Sequence, residues 1–189
     1  MATYDDSLVA EAKQDVVGEV LDPPHPNQQF LDYIKEAEGW HGTGIDSQEG
    51  GSQTVGWGHK LVGDEDFSNA SMEDLHDLFM NDYKKTVVQG RASIDNKYGE
   101  GSFDNLPKDR QNMLLDFIYN TGQVPHMLEK DYSGRFTQFG DAIMTGDNAA
   151  LLAKDDTGEW IGQRYFTDTE GNRRLLTRNR QFKEHFGLE

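Results

Sequence analysis

The chain has 189 residues, 34 acidic and 18 basic, with a formal net charge of −16 and a pI near 4.6. That length suits one domain, with or without a tail; 10 Phe, 7 Tyr and 3 Trp supply a core although hydrophobic residues make up only 35%, so wholesale disorder is excluded. The absence of cysteine excludes disulfides, thiolate zinc sites and a cysteine nucleophile, and the negative balance argues against nucleic acid as a partner.

No run approaches the ~18 apolar residues of a membrane span. The acidic start, MATYDDSLVAEAKQD, lacks the apolar stretch of a secretory signal or lipid anchor. Residues 1–27 are poor in aromatics and end in Asp22-Pro23-Pro24-His25-Pro26. Prolines at this density favour a stiff linker. Residues 1–27 are therefore expected to form an acidic N-terminal arm, with a short helix over 8–21, and residues 28–189 the folded domain.

Through QQFLDYIKEAEG, Phe30, Leu31, Ile34 and Ala37 follow a helical period, and Gly39 is expected to end the helix. Residues 39–58 hold seven glycines, a density suited to tight turns and short strands. Thr54-Val55-Gly56-Trp57 is the one strand core in this stretch, and a loop of glycine and acid follows over 63–69. Ser71 and Asp74 form the start signal of a helix carrying Leu75, Leu78, Phe79, Tyr83 and Val87 on one stripe. Pro107 opens a second strong helix, KDRQNMLLDFIYN, with Met113, Leu114, Phe117 and Ile118 inward and a stop at Gly122. Shorter helices are expected over 136–145 and 149–154, and a last one over about 175–186, closed by Gly187. The plan is α+β, mostly helical, with one small β region near the start.

The chemistry concentrates between Glu38 and His59. Glu38 ends an amphipathic helix beside Ala37 and Trp40. Desolvation there raises a carboxyl pKa, and a carboxyl protonated near neutral pH is a general acid. Asp46 and Glu49 lie in a polar, glycine-rich turn, where a carboxylate stays ionised. Two carboxyls in contrasting surroundings are the usual equipment for glycoside hydrolysis. In so acidic a chain, the default for any such pair is nevertheless solvated surface charge.

The run from Glu38-Gly39 through an acidic Gly-rich turn to Thr54-Val55-Gly56-Trp57-Gly58-His59 resembles the phage lysozymes of T-even and lambdoid type, the family 24 glycoside hydrolases. Two later segments are similar as well. Leu106-Pro107 to Asn120-Thr121-Gly122 resembles the family's helix ending in N-x-G, and Arg173 to Phe186 its closing arginine-rich helix, with the usual glycine displaced to Gly171. The resemblance implies a lysozyme-like α+β fold, with a small N-terminal β-hairpin lobe, a larger helical lobe and the active-site cleft between them. It implies a muramidase that cleaves the β-1,4 bond between N-acetylmuramic acid and N-acetylglucosamine. Glu38 would be the general acid and Thr54 would position water or the second carboxylate. The family's common spacing puts that carboxylate where this chain has Gln48, which cannot serve as a base. Glu49 is preferred, because Ser47-Gln48-Glu49-Gly50-Gly51-Ser52 resembles the S-P-E-G-G-S turn of some phage structural lysozymes and its extra methylene recovers part of a one-residue offset, and Asp46 is the alternative.

The resemblance also gives His59 a structural role beside an acid. Trp57, Tyr119 and Asn120 become substrate-binding candidates, Asn120 either holding an N-acetyl group or capping its helix. Trp40 is open to sugar stacking, whereas Trp160 is expected to pack. Asp64-Glu65-Asp66 lacks the ligand alternation of a calcium loop and reads as solvated charge. Arg164, Arg173, Arg174, Arg178, Arg180 and Lys183 form a basic island that would either attract peptide-stem carboxylates or pair with neighbouring acids. No metal or cofactor is expected, the partner is peptidoglycan, and a monomer is expected. The protein would act on the cell wall during phage lysis or wall penetration, as an endolysin kept in the host cytoplasm until holin-dependent release or as a virion-associated enzyme. Two other functions stay open: a lytic transglycosylase, which closes the sugar on itself without water, and a non-catalytic virion or cell-wall-binding module.

Cell-wall material is anionic, so a chain of net charge −16 is repelled at long range, and salt screens that repulsion, with a Debye length of ~3 Å at 1 M. Lytic activity on cell walls is therefore expected to hold or rise between low salt and seawater strength; turbidity clearance that falls steadily over that range would contradict it.

Overall fold

The computed structural model describes residues 27–43, 45, 46, 53–125, 134–167, 170 and 173–188. The expected arm lies outside these residues except for Asn27, and Glu49 lies outside them too.

Helix α1 spans Gln28–Glu38. Asn27 caps it by accepting the Gln29 backbone N–H at 3.1 Å, which satisfies one of the free donors at a helix start. Phe30, Leu31, Tyr33 and Ile34 are buried. Gly39, at φ 77°, ends the helix, a conformation that costs any residue with a Cβ. The chain then enters a small antiparallel sheet of β1 (Ile45–Asp46), β2 (Gln53–Val55) and β3 (His59–Lys60), in the order β1-β2-β3. Thr54 is opposite Ile45 and Lys60, Asp46 is opposite Gln53, and Val55 is opposite His59. The expected single strand is thus the centre of three. Trp57 lies in the turn after it, between Gly56 and Gly58, which both have positive φ.

Helix α2 (Met72–Tyr98) begins with the expected capping box: Ser71 accepts the Asp74 N–H and Asp74 accepts the Ser71 N–H. Helix α3 (Lys108–Thr121) follows Pro107 and ends at Gly122. All nine residues from Arg110 to Ile118 are buried, so α3 is surrounded and forms the axis of the helical lobe. Around it lie α4 (Arg135–Thr145), the single turn α5 (Asn148–Leu151) and α6 (Arg178–Phe186). Phe139 links the packing, with ring centroids 5.7 Å from Phe117, 5.5 Å from Trp160 and 5.8 Å from Phe182. Trp160 is a core residue as expected, and its indole N–H donates to the Leu151 carbonyl at 2.6 Å.

Two expectations are corrected. The helix expected over 149–154 starts at Asn148, where Asp147 caps it by accepting the Ala150 N–H, and stops at Leu151, before Lys154 pairs with Trp160 in a β-bridge. The helix expected from 175 begins at Arg178, and a second hairpin, β4 (Tyr165–Thr167) with β5 (Arg173–Leu175), precedes it. Arg-Arg-Leu-Leu fits a helical period, but pairing of Tyr165 with Leu175, Phe166 with Arg174 and Thr167 with Arg173 gives its backbone cross-strand partners instead. Tertiary pairing overrides local propensity here.

Gly162 shows how tightly the approach to this hairpin is packed. A Cβ there would stand 2.5 Å from Trp160 Cζ2 and 2.7 Å from Phe139 Cε2. Neither ring can yield without opening the core, so Gly162→Ala is expected to cost about 1–3 kcal/mol, the range for overpacking, read as a lower urea midpoint at unchanged slope.

Candidate active site

Glu38 is the last residue of α1 and its side chain retains only 16% of its exposure. Two neighbours define its carboxyl. The Arg178 guanidinium donates from Nη1 to Oε1. On the other side the backbone of Gly58 lies so close that a Cβ there would stand 3.0 Å from Oε2. The β2–β3 turn can approach the carboxyl because this position has no side chain. Burial pushes the Glu38 carboxyl above its ordinary 4.5; the charge and hydrogen bond of Arg178 oppose that rise, and the negative charge of Asp116 adds to it. A guanidinium only donates. Oε1 is therefore already committed as an acceptor, and the proton of the neutral form belongs on Oε2, the oxygen beside Gly58.

Arg178 is itself held from behind. Its Nε donates to Asp116 Oδ1 at 2.9 Å and its Nη2 lies 2.8 Å from the same oxygen. Arg164 Nη1 donates to Asp116 Oδ2 at 2.9 Å, and the Tyr33 hydroxyl donates to Oδ1 at 2.9 Å. Asp116 is fully buried. Burial alone would raise its pKa, but the two guanidiniums outweigh burial and hold it below the ordinary carboxylate value. Asp116, Arg164 and Arg178 are thus a buried ionic cluster whose outer end is Glu38.

Of the other candidates, Thr54 comes from β2, Trp57 from the turn after it, and Tyr119 and Asn120 from the end of α3. Thr54 is buried in β2, at 5% exposure. The Tyr119 hydroxyl donates to the Trp57 carbonyl at 3.2 Å, which brings those two together on the turn beside Glu38. The Trp57 ring lies 4.8 Å from that of the exposed Trp40, with the Lys35 ammonium 4.0 Å away. Asn120 faces inward, its Oδ1 accepting from Arg164 Nη1 at 3.4 Å; the helix end is closed by Gly122, whose N–H donates to Ile118. Asp46 belongs to β1, and Glu49 lies outside the described residues.

His59 stands between two acids, with Nδ1 2.6 Å from Asp82 and Nε2 3.1 Å from Glu65. Glu65 also accepts the Val62 N–H at 2.9 Å, and Asp66 accepts that of Ser68. Two of the three acids at 64–66 therefore shape their own loop. Among the described residues, no group of three or more His, Cys, Asp or Glu is placed to hold a metal ion. The basic island divides. Arg164 and Arg178 turn into the core onto Asp116, whereas Arg180 is exposed, 3.5 Å from Glu184, and Lys183 lies 4.4 Å from the Trp160 ring. For Arg164 and Arg178, ion pairing replaces peptide-stem attraction.

The sequence reading missed Asp116 and the partnership of Arg178 with Glu38. One signal was available: Asp116 interrupts the otherwise apolar run Met113-Leu114-Leu115-Asp116-Phe117-Ile118. A carboxylate inside such a helix requires a buried cation.

No protein-family model matches this chain, and no curated protein matches it in sequence. Solved structures do. The muramidase domain of SpmX from Asticaccaulis excentricus matches with a TM-score of 0.50 at 17% identity, over 86% of this chain and 95% of that one. The endolysin from Escherichia coli O157:H7 phage FAHEc1 matches with a TM-score of 0.53 at 14% identity, over 86% of this chain and 90% of that one. The chain has the lysozyme-like α+β fold. Among the described residues, no helix is long and apolar enough to cross a membrane.

The electrostatics give a signed expectation for stability. Glu38 binds its proton more tightly folded than unfolded, so its contribution is complete below about 4.5 and is lost as pH rises through the folded value. Asp116 has the opposite shift, and its contribution is lost only as pH falls below about 3.8. Glu38→Gln keeps an acceptor for Arg178 and removes the first dependence. In urea unfolding series from pH 4 to 7, the stability of Glu38→Gln relative to wild type is expected to increase with pH.

Proposed function

We propose that this protein is a muramidase of the phage-lysozyme kind, hydrolysing the β-1,4 bond between N-acetylmuramic acid and N-acetylglucosamine in peptidoglycan. The observation that carries this is Glu38 itself: a desolvated carboxyl with one oxygen held by Arg178 and the other against the Gly58 backbone, in a lysozyme-like fold. The motif from Glu38 to His59 and the muramidase and endolysin among the structural relatives support the same assignment.

In the proposed reaction Glu38 gives its proton from Oε2 to the glycosidic oxygen as the bond to the muramic acid ring breaks. Glu49, ionised, stabilises the oxocarbenium-like transition state and takes a proton from the attacking water, and Thr54 positions that water. With inversion at the sugar carbon, the two carboxyls stand ~6.5–9.5 Å apart, leaving room for the water. Trp57 offers its ring to the saccharide, and Tyr119 fixes the backbone of the turn that carries it. Lysis or wall penetration by a phage is the role this activity serves.

The test is digestion of purified peptidoglycan, with products read by mass spectrometry. Glu38→Gln is expected to lose ~10²-fold or more in turnover, the usual contribution of a general acid, while its circular dichroism stays that of wild type. Glu49→Gln is expected to lose activity and Asp46→Asn to keep it; the reverse would move the second carboxylate to Asp46. Products lighter by one water, ~18 Da, would identify a transglycosylase instead, since only hydrolysis consumes water. Glycan binding without new reducing ends would identify a non-catalytic module.

A further inference from the structure

Behind Glu38 lie three buried ionic groups that proton transfer does not itself use. Asp116 is 0%, Arg164 2% and Arg178 3% exposed, and they come from α3, the segment before β4, and α6. Removing charge from water is costly unless every member is paired. A structural pair would need one guanidinium for one carboxylate, but here two guanidiniums share Asp116. Counting Glu38, the cluster is balanced when Glu38 is ionised and carries one net positive charge when Glu38 is protonated. Arg178 alone touches both carboxyls, Nε and Nη2 at Asp116 and Nη1 at Glu38. Asp116 thus fixes which edge of the guanidinium faces Glu38, and Arg164 fixes Asp116 through its other oxygen.

Taking Glu38 as the proton donor proposed above, we infer that Asp116 and Arg164 are positioning residues of the reaction, acting through Arg178 to orient the Glu38 carboxyl and to set, with opposite signs, how readily it holds its proton. Asp116 places an anion behind Arg178 and makes the protonated form easier to keep. Arg164 places a second cation there and makes it harder. Of the titratable groups around the cluster, His185 on α6 stacks on the Tyr33 ring at 4.0 Å, and burial holds its pKa below the ordinary value. Tyr33 on α1 and Tyr119 on α3 have phenols that burial holds neutral. The His41 ring contacts the Glu38 backbone carbonyl, at 3.2 Å, and not the carboxyl. On the sheet side the neighbour is the backbone of Gly58.

The experiment changes one charge at a time and follows Glu38 in two ways. One readout is the alkaline limb of kcat/KM on peptidoglycan. The other is the carboxyl carbon resonance of Glu38 in the full-length protein, assigned by its loss in Glu38→Gln and titrated without substrate. Asp116→Asn keeps a hydrogen-bonding side chain and removes the anion, so both midpoints are expected to move to lower pH. Arg164→Gln removes a cation, so both are expected to move to higher pH. Each shift is expected to be about one pH unit, the scale of one nearby charge at an effective dielectric constant of ~20. Arg164→Lys keeps the charge and is expected to keep the wild-type midpoint.

Shifts of opposite sign support the inference. Shifts of the same sign, no shift, or an Arg164→Lys variant that behaves like Arg164→Gln would overturn it, since lost packing does not distinguish the sign of a charge. If Asp116→Asn does not fold, the Arg164 pair decides alone: an upward shift with Gln and none with Lys supports the inference, and anything else overturns it. A wild-type protein that releases no saccharide would sink the muramidase assignment while leaving the resonance titration to judge the charge cluster.

Discussion

The guanidinium of Arg178, shared between Asp116 and Glu38, is the interaction on which the site depends. Its partners lie 62 and 140 residues away along the chain, so the cluster exists only after α1, α3 and α6 have closed on one another. Buried ion pairs are weak evidence for stability, because desolvation costs several kcal/mol per ion and apolar replacements are often as stable. What the cluster does in this structure is hold Glu38 through Arg178. The Arg178 guanidinium fixes the orientation of the buried Glu38 carboxyl by holding Oε1, and Asp116 pairs the charge of Arg178 in that interior.

The elements around Glu38 extend this balance. A helix C-terminus carries partial negative charge from its free carbonyls, and Glu38 is the last residue of α1. Helix end, burial and Asp116 all oppose its ionisation, and Arg178 opposes them. Gly39 stops α1 at this residue, and Gly58 lets the β2–β3 turn approach the carboxyl without a side chain in the way. His59, in the next position, is gripped by Asp82 from α2 and Glu65 from the loop. The turn that faces Glu38 is thereby tied to the helical lobe on its far side.

Features encoded over a few residues were legible in the sequence. The period of α1 and its glycine stop, the Ser71–Asp74 capping box and the span of α3 all come from contacts within one helix. Glu38 was legible as a chemical candidate because its apolar neighbours are adjacent in the chain. Partnerships across the fold were not. Arg164 and Arg178 stood out as cations, yet nothing local distinguishes a guanidinium bound for the core from the exposed Arg180 beside it. The β4–β5 hairpin was missed because Arg173-Arg174-Leu175 satisfies a helical period equally well until Tyr165–Thr167 offers it a ladder. Asp116 was the exception, a long-range fact with a local trace, since a carboxylate amid the buried residues of α3 implies cations on another element.

The distribution of positive charge also bears on the proposed substrate. Of only 18 cationic residues against 34 acids, Arg110, Arg135, Arg164 and Arg178 are buried. Arg164 and Arg178 are committed to Asp116 and Glu38, and Arg135 to Glu159 at 2.8 Å. Cations paired internally add little to the field outside, so an anionic glycan, the proposed substrate, would meet a repelling surface at low salt. Under the proposed function, recognition falls to short-range contacts, among them aromatic faces such as the exposed ring of Trp40 beside Trp57. Salt separates the two electrostatic systems, because exposed charges more than a Debye length apart are largely screened while buried pairs are screened far less. A protein built this way keeps the electrostatic setting of Glu38 at ionic strengths that erase its surface field; with Glu38 as the proposed acid, salt acts on encounter with substrate and not on the proton transfer.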